Sequence, residues 1–435
     1  MNNTVDFKIN GNKKLSGRVK TNTSKNGAMG LMCASLVNQG KTILHGIPRI
    51  EEVYRMIEIM QSINIKVDWI DKRSLQIIPT KKLDLNNINK TSATRTRSII
   101  MFIGSLVGYF KDFKLPHSQG CELGKRTIAA HIYGLQELGV KVKVRHDSYQ
   151  INYHKLKANK VSMYESGDTA CINMLLVASM IKGQTVIKFA SSNYQVREVG
   201  YFLQKLGVKI KGLDTTTFVI EGLPDINQEI EYTNSEDPIE SMMFISAAIT
   251  TGSELTIERC PIDFLDLELY KLKKMGLKYK TSKQYLSYNQ KTALTDITVY
   301  PSKLKALNEK IYARSYPGIN IDNLPFFVPI ATQSEGSTLI HDWTYENRAI
   351  YFMELAKLGA DMILADPHRV YIKGQKDLRP AQVVCPPALR PAMIILIAML
   401  AAEGVSILRN VYSISRGYEE IATRLNNLGA DIQVL

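Results

Sequence analysis

The sequence offers no disulfide framework. Its five cysteines, Cys33, Cys121, Cys171, Cys260 and Cys385, are scattered with no paired spacing. That excludes a cysteine-stapled secreted fold and a cysteine-based zinc site, and favours a reducing compartment. Long hydrophobic runs are also missing. The longest strongly apolar stretch, Pro391 to Ala402, is too short to cross a bilayer and reads as a buried helix. The first residues, Met1-Asn2-Asn3-Thr4-Val5-Asp6, lack the apolar core of a secretory leader. A cytoplasmic protein without membrane association is therefore expected. There is no low-complexity segment, no arginine-rich arm and no block of five or more like charges. The surplus of 55 Lys and Arg over 41 Asp and Glu, a net +14, is spread along the chain. It fits a solvated surface or a small polyanionic substrate better than a nucleic-acid groove.

What the sequence does contain is a repeat. At 435 residues the chain is too long for one ordinary core, and two domains are expected. Six times a helical pattern ends in Leu-Gly or a relative, followed by alternating apolar residues: Ile63-Asn64-Ile65, Leu138-Gly139-Val140, Leu206-Gly207-Val208, Met275-Gly276-Leu277, Leu358-Gly359-Ala360 and Leu428-Gly429-Ala430. The spacings are 75, 68, 69, 83 and 70 residues. A glycine there predicts a left-handed helix C-cap, and the alternation predicts a half-buried strand. A second element, a glycine before a β-prone run, precedes most copies, as in Gly183-Gln184-Thr185-Val186 and Gly404-Val405-Ser406-Ile407. Six units divide into two groups of three, with helices packed on sheet. The boundary is expected in the polar stretch Asp225 to Asp237. The strand Val5 to Ile9, which has no helix of its own, is expected to close the second domain. The division is then residues 25–235 against 1–24 plus 236–435.

Several short stretches carry chemistry. Gly120-Cys121-Glu122-Leu123-Gly124-Lys125-Arg126 packs a thiol, two cations and two glycines into seven residues. The cations favour the thiolate, and Arg126 has the fork that grips a carboxylate or phosphate. The same stretch also reads as a surface turn with a chance cysteine. Lys25, in Thr23-Ser24-Lys25-Asn26, stands before the first apolar helix, as an exposed cap lysine or as an anion ligand beside backbone amides. Arg97 opens another apolar helix, Ile99 to Val107, with the same two readings. Asp322, in Asn320-Ile321-Asp322-Asn323-Leu324-Pro325, is either an N-cap or a general base. Arg348, Arg390 and Arg416 each recur near a helix start in the second half.

With Ser24-Lys25-Asn26, Cys121-x-x-Gly124-x-Arg126, Glu346-Asn347-Arg348, Leu389-Arg390 and Arg416-Gly417-Tyr418-Glu419, essentially the whole chain resembles the enolpyruvyl transferases. The similarity is closest to the UDP-N-acetylglucosamine 1-carboxyvinyltransferases of peptidoglycan synthesis. The resemblance implies an α/β (α+β) fold in two domains, each an inside-out α/β barrel of three βαβαββ-type units, with substrates in the cleft between them. It implies transfer of the enolpyruvyl group of phosphoenolpyruvate to a hydroxyl of UDP-N-acetylglucosamine, with no cofactor, no metal and no obligate protein partner. Lys25, Arg97, Arg126 and Arg416 would hold phosphoenolpyruvate, with Arg390 close by. Cys121 would protonate it from a mobile loop, Asp322 would deprotonate the acceptor, and Asn26 and Arg348 would contact the acceptor and the reacting centre.

The chain departs from the family at defined places. Ala388 stands where the family has aspartate. Thr127-Ile128-Ala129-Ala130 replaces Pro-Val-Asp-Leu at the uracil, and Gly167-Asp168-Thr169 replaces a phosphate-binding Ser-Val-Gly. Glu51 replaces a lysine, and the loop before Cys121 is two residues longer. These changes fall mostly on the nucleotide-sugar half. They leave open another hydroxyl acceptor, such as a uridine nucleotide or shikimate 3-phosphate. They also leave open a protein of another class, one that binds anions or nucleic acid without turnover.

Overall fold

The computed structural model describes residues 5–80, 82–117 and 127–435. The six glycine-type positions are helix ends. Asn64, Gly139, Gly207, Gly276, Gly359 and Gly429 all take positive φ, between 67° and 107°. This is the left-handed turn that lets a helix stop and the chain double back into a strand. Periodicity in the sequence thus reports a geometric requirement, repeated once per unit.

Among the described residues six sheets accompany the six helix ends. Five share one pattern. An outer strand runs parallel to the second, and two antiparallel strands follow, as in Lys160–Ser162, Gly183–Lys188, Thr217–Gly222 and Lys209–Lys211. The sixth, Asp112–Pro116, Ser148–Tyr153 and Val140–Val144, has only the antiparallel part among the described residues. Distant segments complete several units. Phe7–Asn10 inserts between Val405–Arg409 and Ile432–Val434. Ile230–Thr233 lies parallel to Thr42–His45.

Helices form the interior. Every residue of Pro238–Thr250 is buried, and Leu389–Ala401 is buried from Arg390 to Leu400. Helices apolar on all sides have no solvent face and must be enclosed. By contrast Glu51–Ser62 and Tyr194–Lys205 are amphipathic and cover the interior helices from outside. Among the described residues no helix is long and apolar enough to cross a membrane.

The buried apolar side chains fall into two clusters. One runs from Ala28 to Tyr232. The other joins Phe7, Ile9, Leu15 and Val19 to residues from Ile239 to Ile432. Among the described residues only Tyr194 breaks this order. It lies in the first stretch of sequence but packs in the second cluster, edge-on to Phe264 at 5.8 Å. The chain crosses between the clusters twice, side by side: Ser24 N donates to Ser235 O at 2.7 Å and Asp237 N to Asn22 O at 2.8 Å. We propose domain bounds of 25–235 and 1–24 plus 236–435 on the strength of these two cores.

Two sequence expectations need correction. Arg416 does not open a helix; it ends the single turn Tyr412–Ser415, and the next helix begins at Ile421. The buried Ile414 anchors that turn, which left no pattern long enough to read. The stretch after Arg97 is not one α-helix either. It is a 3₁₀ segment, Arg97–Met101, followed by a short α-helix, Phe102–Leu106.

The caps yield a graded expectation. A Cβ at Gly207 meets only Leu223 Cδ2 at 3.4 Å, whereas one at Gly139 meets Lys155 O at 2.4 Å. Gly207→Ala is expected to cost about 1–2 kcal/mol, the price of left-handed backbone alone, and Gly139→Ala clearly more. Equal losses in urea unfolding would show that the close backbone at Gly139 yields freely.

Candidate active site

A cleft of about 330 Å³ opens between the two clusters. Its first wall is set by Ser24, whose Oγ accepts from Gly27 N at 2.9 Å and so starts the helix Lys25–Ala34. Lys25 is the first residue of that helix. Its amide donates to Asp237 Oδ2 at 3.2 Å and its Nζ to Asn26 Oδ1 at 3.2 Å. Asn26 in turn donates to Tyr194 OH at 3.0 Å. The second wall is Asn320–Asp322, Tyr345, Arg348, Leu389–Pro391 and Arg416.

Asp322 does not cap the helix that follows. Its amide donates to Asn320 Oδ1 at 2.9 Å, and its carboxylate faces Arg390 Nη2 at 3.2 Å and Arg348 Nη1 at 3.8 Å. Burial pushes its pKa up, but Arg390, Arg348 and Lys25 together outweigh burial and hold it below the usual carboxylate range. Arg390, buried, also donates to Tyr418 OH at 2.7 Å. Ala388, at the N-cap of its helix, supplies no side-chain hydrogen bond. Arg348 is almost consumed. It binds Asp342 through two nitrogens, at 2.5 and 2.9 Å, donates to Ile321 O at 2.8 Å, and stacks 4.1 Å from the Tyr345 ring. Its guanidinium therefore fixes the Asp322 loop as much as it faces the cleft.

The structure also brings in Glu52, which the sequence reading passed over in favour of its neighbour Glu51. Both look like ordinary acids in a helix's first turn, so nothing local marked the difference. Glu52 is buried at 4% exposure. It accepts from Thr96 Oγ1 at 2.8 Å and from Arg416 Nε at 2.9 Å, reaching across the two cores. Burial raises its pKa, yet Lys25 and Arg416 hold the carboxyl below its ordinary value. Lys25 is lowered, first by burial, with Arg390 and Arg416 adding to the shift against Glu52.

Arg97 lines the same cleft, so Lys25, Asn26, Arg97, Asp322, Arg348, Arg390 and Arg416 all converge. Cys121 and Arg126 lie outside the described residues. Among the described lining residues six cations, Lys25, Arg95, Arg97, Arg348, Arg390 and Arg416, face three carboxylates, Glu52, Asp168 and Asp322. Such a surplus in a desolvated space suits a compact polyanion and the charge that develops on it.

The family model for EPSP synthase (3-phosphoshikimate 1-carboxyvinyltransferase) matches residues 9–425. The UDP-N-acetylglucosamine 1-carboxyvinyltransferase of Treponema denticola is 30% identical, covering 99% of both chains. UDP-N-acetylglucosamine 1-carboxyvinyltransferase 2 of Caldanaerobacter subterraneus subsp. tengcongensis is 29% identical over 98% of both. The crystal structure of the enolpyruvyl transferase NikO from Streptomyces tendae superposes with a TM-score of 0.85 at 21% identity, over 99% of each chain. The chain belongs to the EPSP synthase family of carboxyvinyl (enolpyruvyl) transferases, and it has that family's two-domain fold. It is an enzyme of the transferase class.

Two measurements test this electrostatic arrangement. Glu52→Gln keeps the shape and the Thr96 contact but removes the negative charge that faces Lys25 and Arg416. It is expected to cost about 3–5 kcal/mol of stability, and millimolar inorganic phosphate should restore most of the lost melting temperature; a loss that phosphate leaves untouched points to packing instead. Limited alkylation with peptide mapping is expected to label Cys121 first. The other four cysteines are buried, and burial pushes the thiols of Cys171, Cys260 and Cys385 up to about 12 and raises Cys33 as well. Equal labelling contradicts a reactive Cys121.

Proposed function

We propose that the protein transfers the enolpyruvyl group of phosphoenolpyruvate to a hydroxyl of UDP-N-acetylglucosamine with release of phosphate, in the cytoplasm, at an early step of peptidoglycan synthesis. The observation that carries the reading is the meeting of Lys25, Arg390, Arg416 and Asp322 in one cleft between the two cores. Full-length similarity to relatives named for that acceptor supports it. Phosphoenolpyruvate is a compact polyanion, and its cradle is Lys25, Arg97 and Arg416 with Arg126. Cations already fixed in place stabilise the charge of the addition intermediate without reorganising.

The reaction adds and then eliminates. Asp322 takes the proton of the acceptor hydroxyl as its oxygen bonds to C2 of phosphoenolpyruvate, and Cys121 delivers a proton to C3. The C2–O bond to phosphate then breaks, a proton leaves C3, and the double bond re-forms. Asp322 is ionised because its neighbours hold its pKa down. The same neighbours make it a weak base, and the substrate's own charge offsets them when it binds. Ala388 has no proton to give or take, so the protons at C3 fall to Cys121 and the groups around Lys25.

Asp322→Asn is expected to lower kcat about 10²–10⁴-fold while phosphoenolpyruvate binding persists. The readouts are phosphate release and product mass. Retained turnover would remove Asp322 from the chemistry. No release with UDP-N-acetylglucosamine, beside release with another hydroxyl compound, would correct the acceptor and leave the reaction standing.

A further inference from the structure

One corner of the cleft has the wrong sign for a phosphate. Asp168 and Thr169 line it, together with Asn193 and Gln195. The Asp168 carboxylate accepts from Ser191 Oγ at 2.5 Å on Oδ1, and from Asn193 Nδ2 at 2.9 Å and Gln195 Nε2 at 2.8 Å on Oδ2. All three donors are neutral. A carboxylate has about four acceptor positions, so one remains, on Oδ1. Burial raises the pKa of this group and Asp322 adds to the shift, so a further anion beside it is disfavoured.

Thr169 is polarised in the opposite sense by the residues behind it. Asn173 Oδ1 accepts from Gly104 N at 2.9 Å, and Asn173 Nδ2 donates to Ile100 O at 2.9 Å. Its orientation is therefore fixed by backbone groups that have no choice of role. The same Nδ2 sits 2.9 Å from His131 Nδ1, which must accept. Burial holds His131 neutral, its pKa pushed down to about 3. The proton is then on Nε2, which donates to Thr169 Oγ1 at 3.2 Å. Among the described residues the Thr169 hydroxyl has no other partner, so its own hydrogen is left to donate into the cleft.

We propose that Asp168 and Thr169 form a paired reader, one acceptor beside one donor, for a neutral amide edge of the acceptor substrate. The uracil imide presents the complementary pair, N–H and C=O, side by side, and the trans acetamido group presents the same pair on its two opposite sides. The inference rests on the acceptor reading above, where that edge is either the acetamido group or the uracil imide. The corner selects substrates by an amide and turns phosphate away to the cationic side of the cleft.

Calorimetric binding of UDP-N-acetylglucosamine to the wild type, Asp168→Asn and Thr169→Val tests it. Each substitution is expected to raise Kd at least about tenfold, and Thr169→Ser to restore binding. Two analogues tell the sources apart: UDP-glucose lacks the acetamide, and the N3-methyl-uracil form of UDP-N-acetylglucosamine lacks the imide N–H. Against whichever analogue lacks the amide that is read, the loss caused by the substitutions should vanish. Unchanged or tighter binding by Asp168→Asn, an equal loss against both analogues, or no saturable binding of any amide-bearing probe overturns the proposal. Turnover without these binding effects removes the reader and keeps the reaction; the binding effects without turnover do the reverse.

Discussion

Lys25, Arg390 and Arg416 face one cleft, and like charges in so poorly solvated a space repel strongly unless something of opposite sign stands between them. The chain supplies that itself. Asp322 lies between Arg390 and Arg348, Glu52 between Lys25 and Arg416, and Asp342 closes off Arg348 from behind. Asp322 and Glu52 are each held down by cations that would otherwise repel one another. The site is thus a set of shared ion pairs, and a polyanionic substrate takes over contacts that the protein's own acids make.

This arrangement explains why the fold needs two cores. Glu52 belongs to one and Arg416 to the other, and Arg73 and Glu419 form a second pair across the same divide at 2.6 Å. The chain crosses between cores only at two adjacent segments, with Tyr194 packed across as an apolar pin. Local charge pairing and lobe position are therefore coupled. A ligand that draws Arg416 away from Glu52 changes the force between lobes as well as the field in the cleft.

The parts of this account visible in the sequence are those with a local cause. Left-handed caps demand glycine or asparagine, so Asn64 and Gly139 through Gly429 marked the six units. The apolar run Pro391 to Ala402 announced a buried helix. Lys25, Arg390 and Asp322 were legible as charged residues beside apolar helices. What long-range contact decides was not legible. Glu52 looks like any acid in a first turn, and only its approach to Arg416, 364 residues away, distinguishes it from Glu51. Arg348 lines the cleft, but that two of its nitrogens bind the buried Asp342 was hidden. The His131–Asn173 relay depends on backbone groups of Gly104 and Ile100, which leave no side-chain signature. Sheet order was equally hidden, since Ile230–Thr233 completes a sheet begun at Thr42–His45.

The claim that the substrate replaces internal counter-charges makes Lys25 the most direct probe. Its pKa is lowered, first by burial and then by Arg390 and Arg416. A folded pKa below the usual value means that at an alkaline pH still below the ordinary lysine range part of the population has lost this proton, and a bound polyanion must restore it. Calorimetric titration of phosphoenolpyruvate at that pH, repeated in buffers of different ionisation enthalpy, should report net proton uptake in the wild type and none from this site in Lys25→Arg. Proton release, or uptake undiminished in Lys25→Arg, would contradict the account.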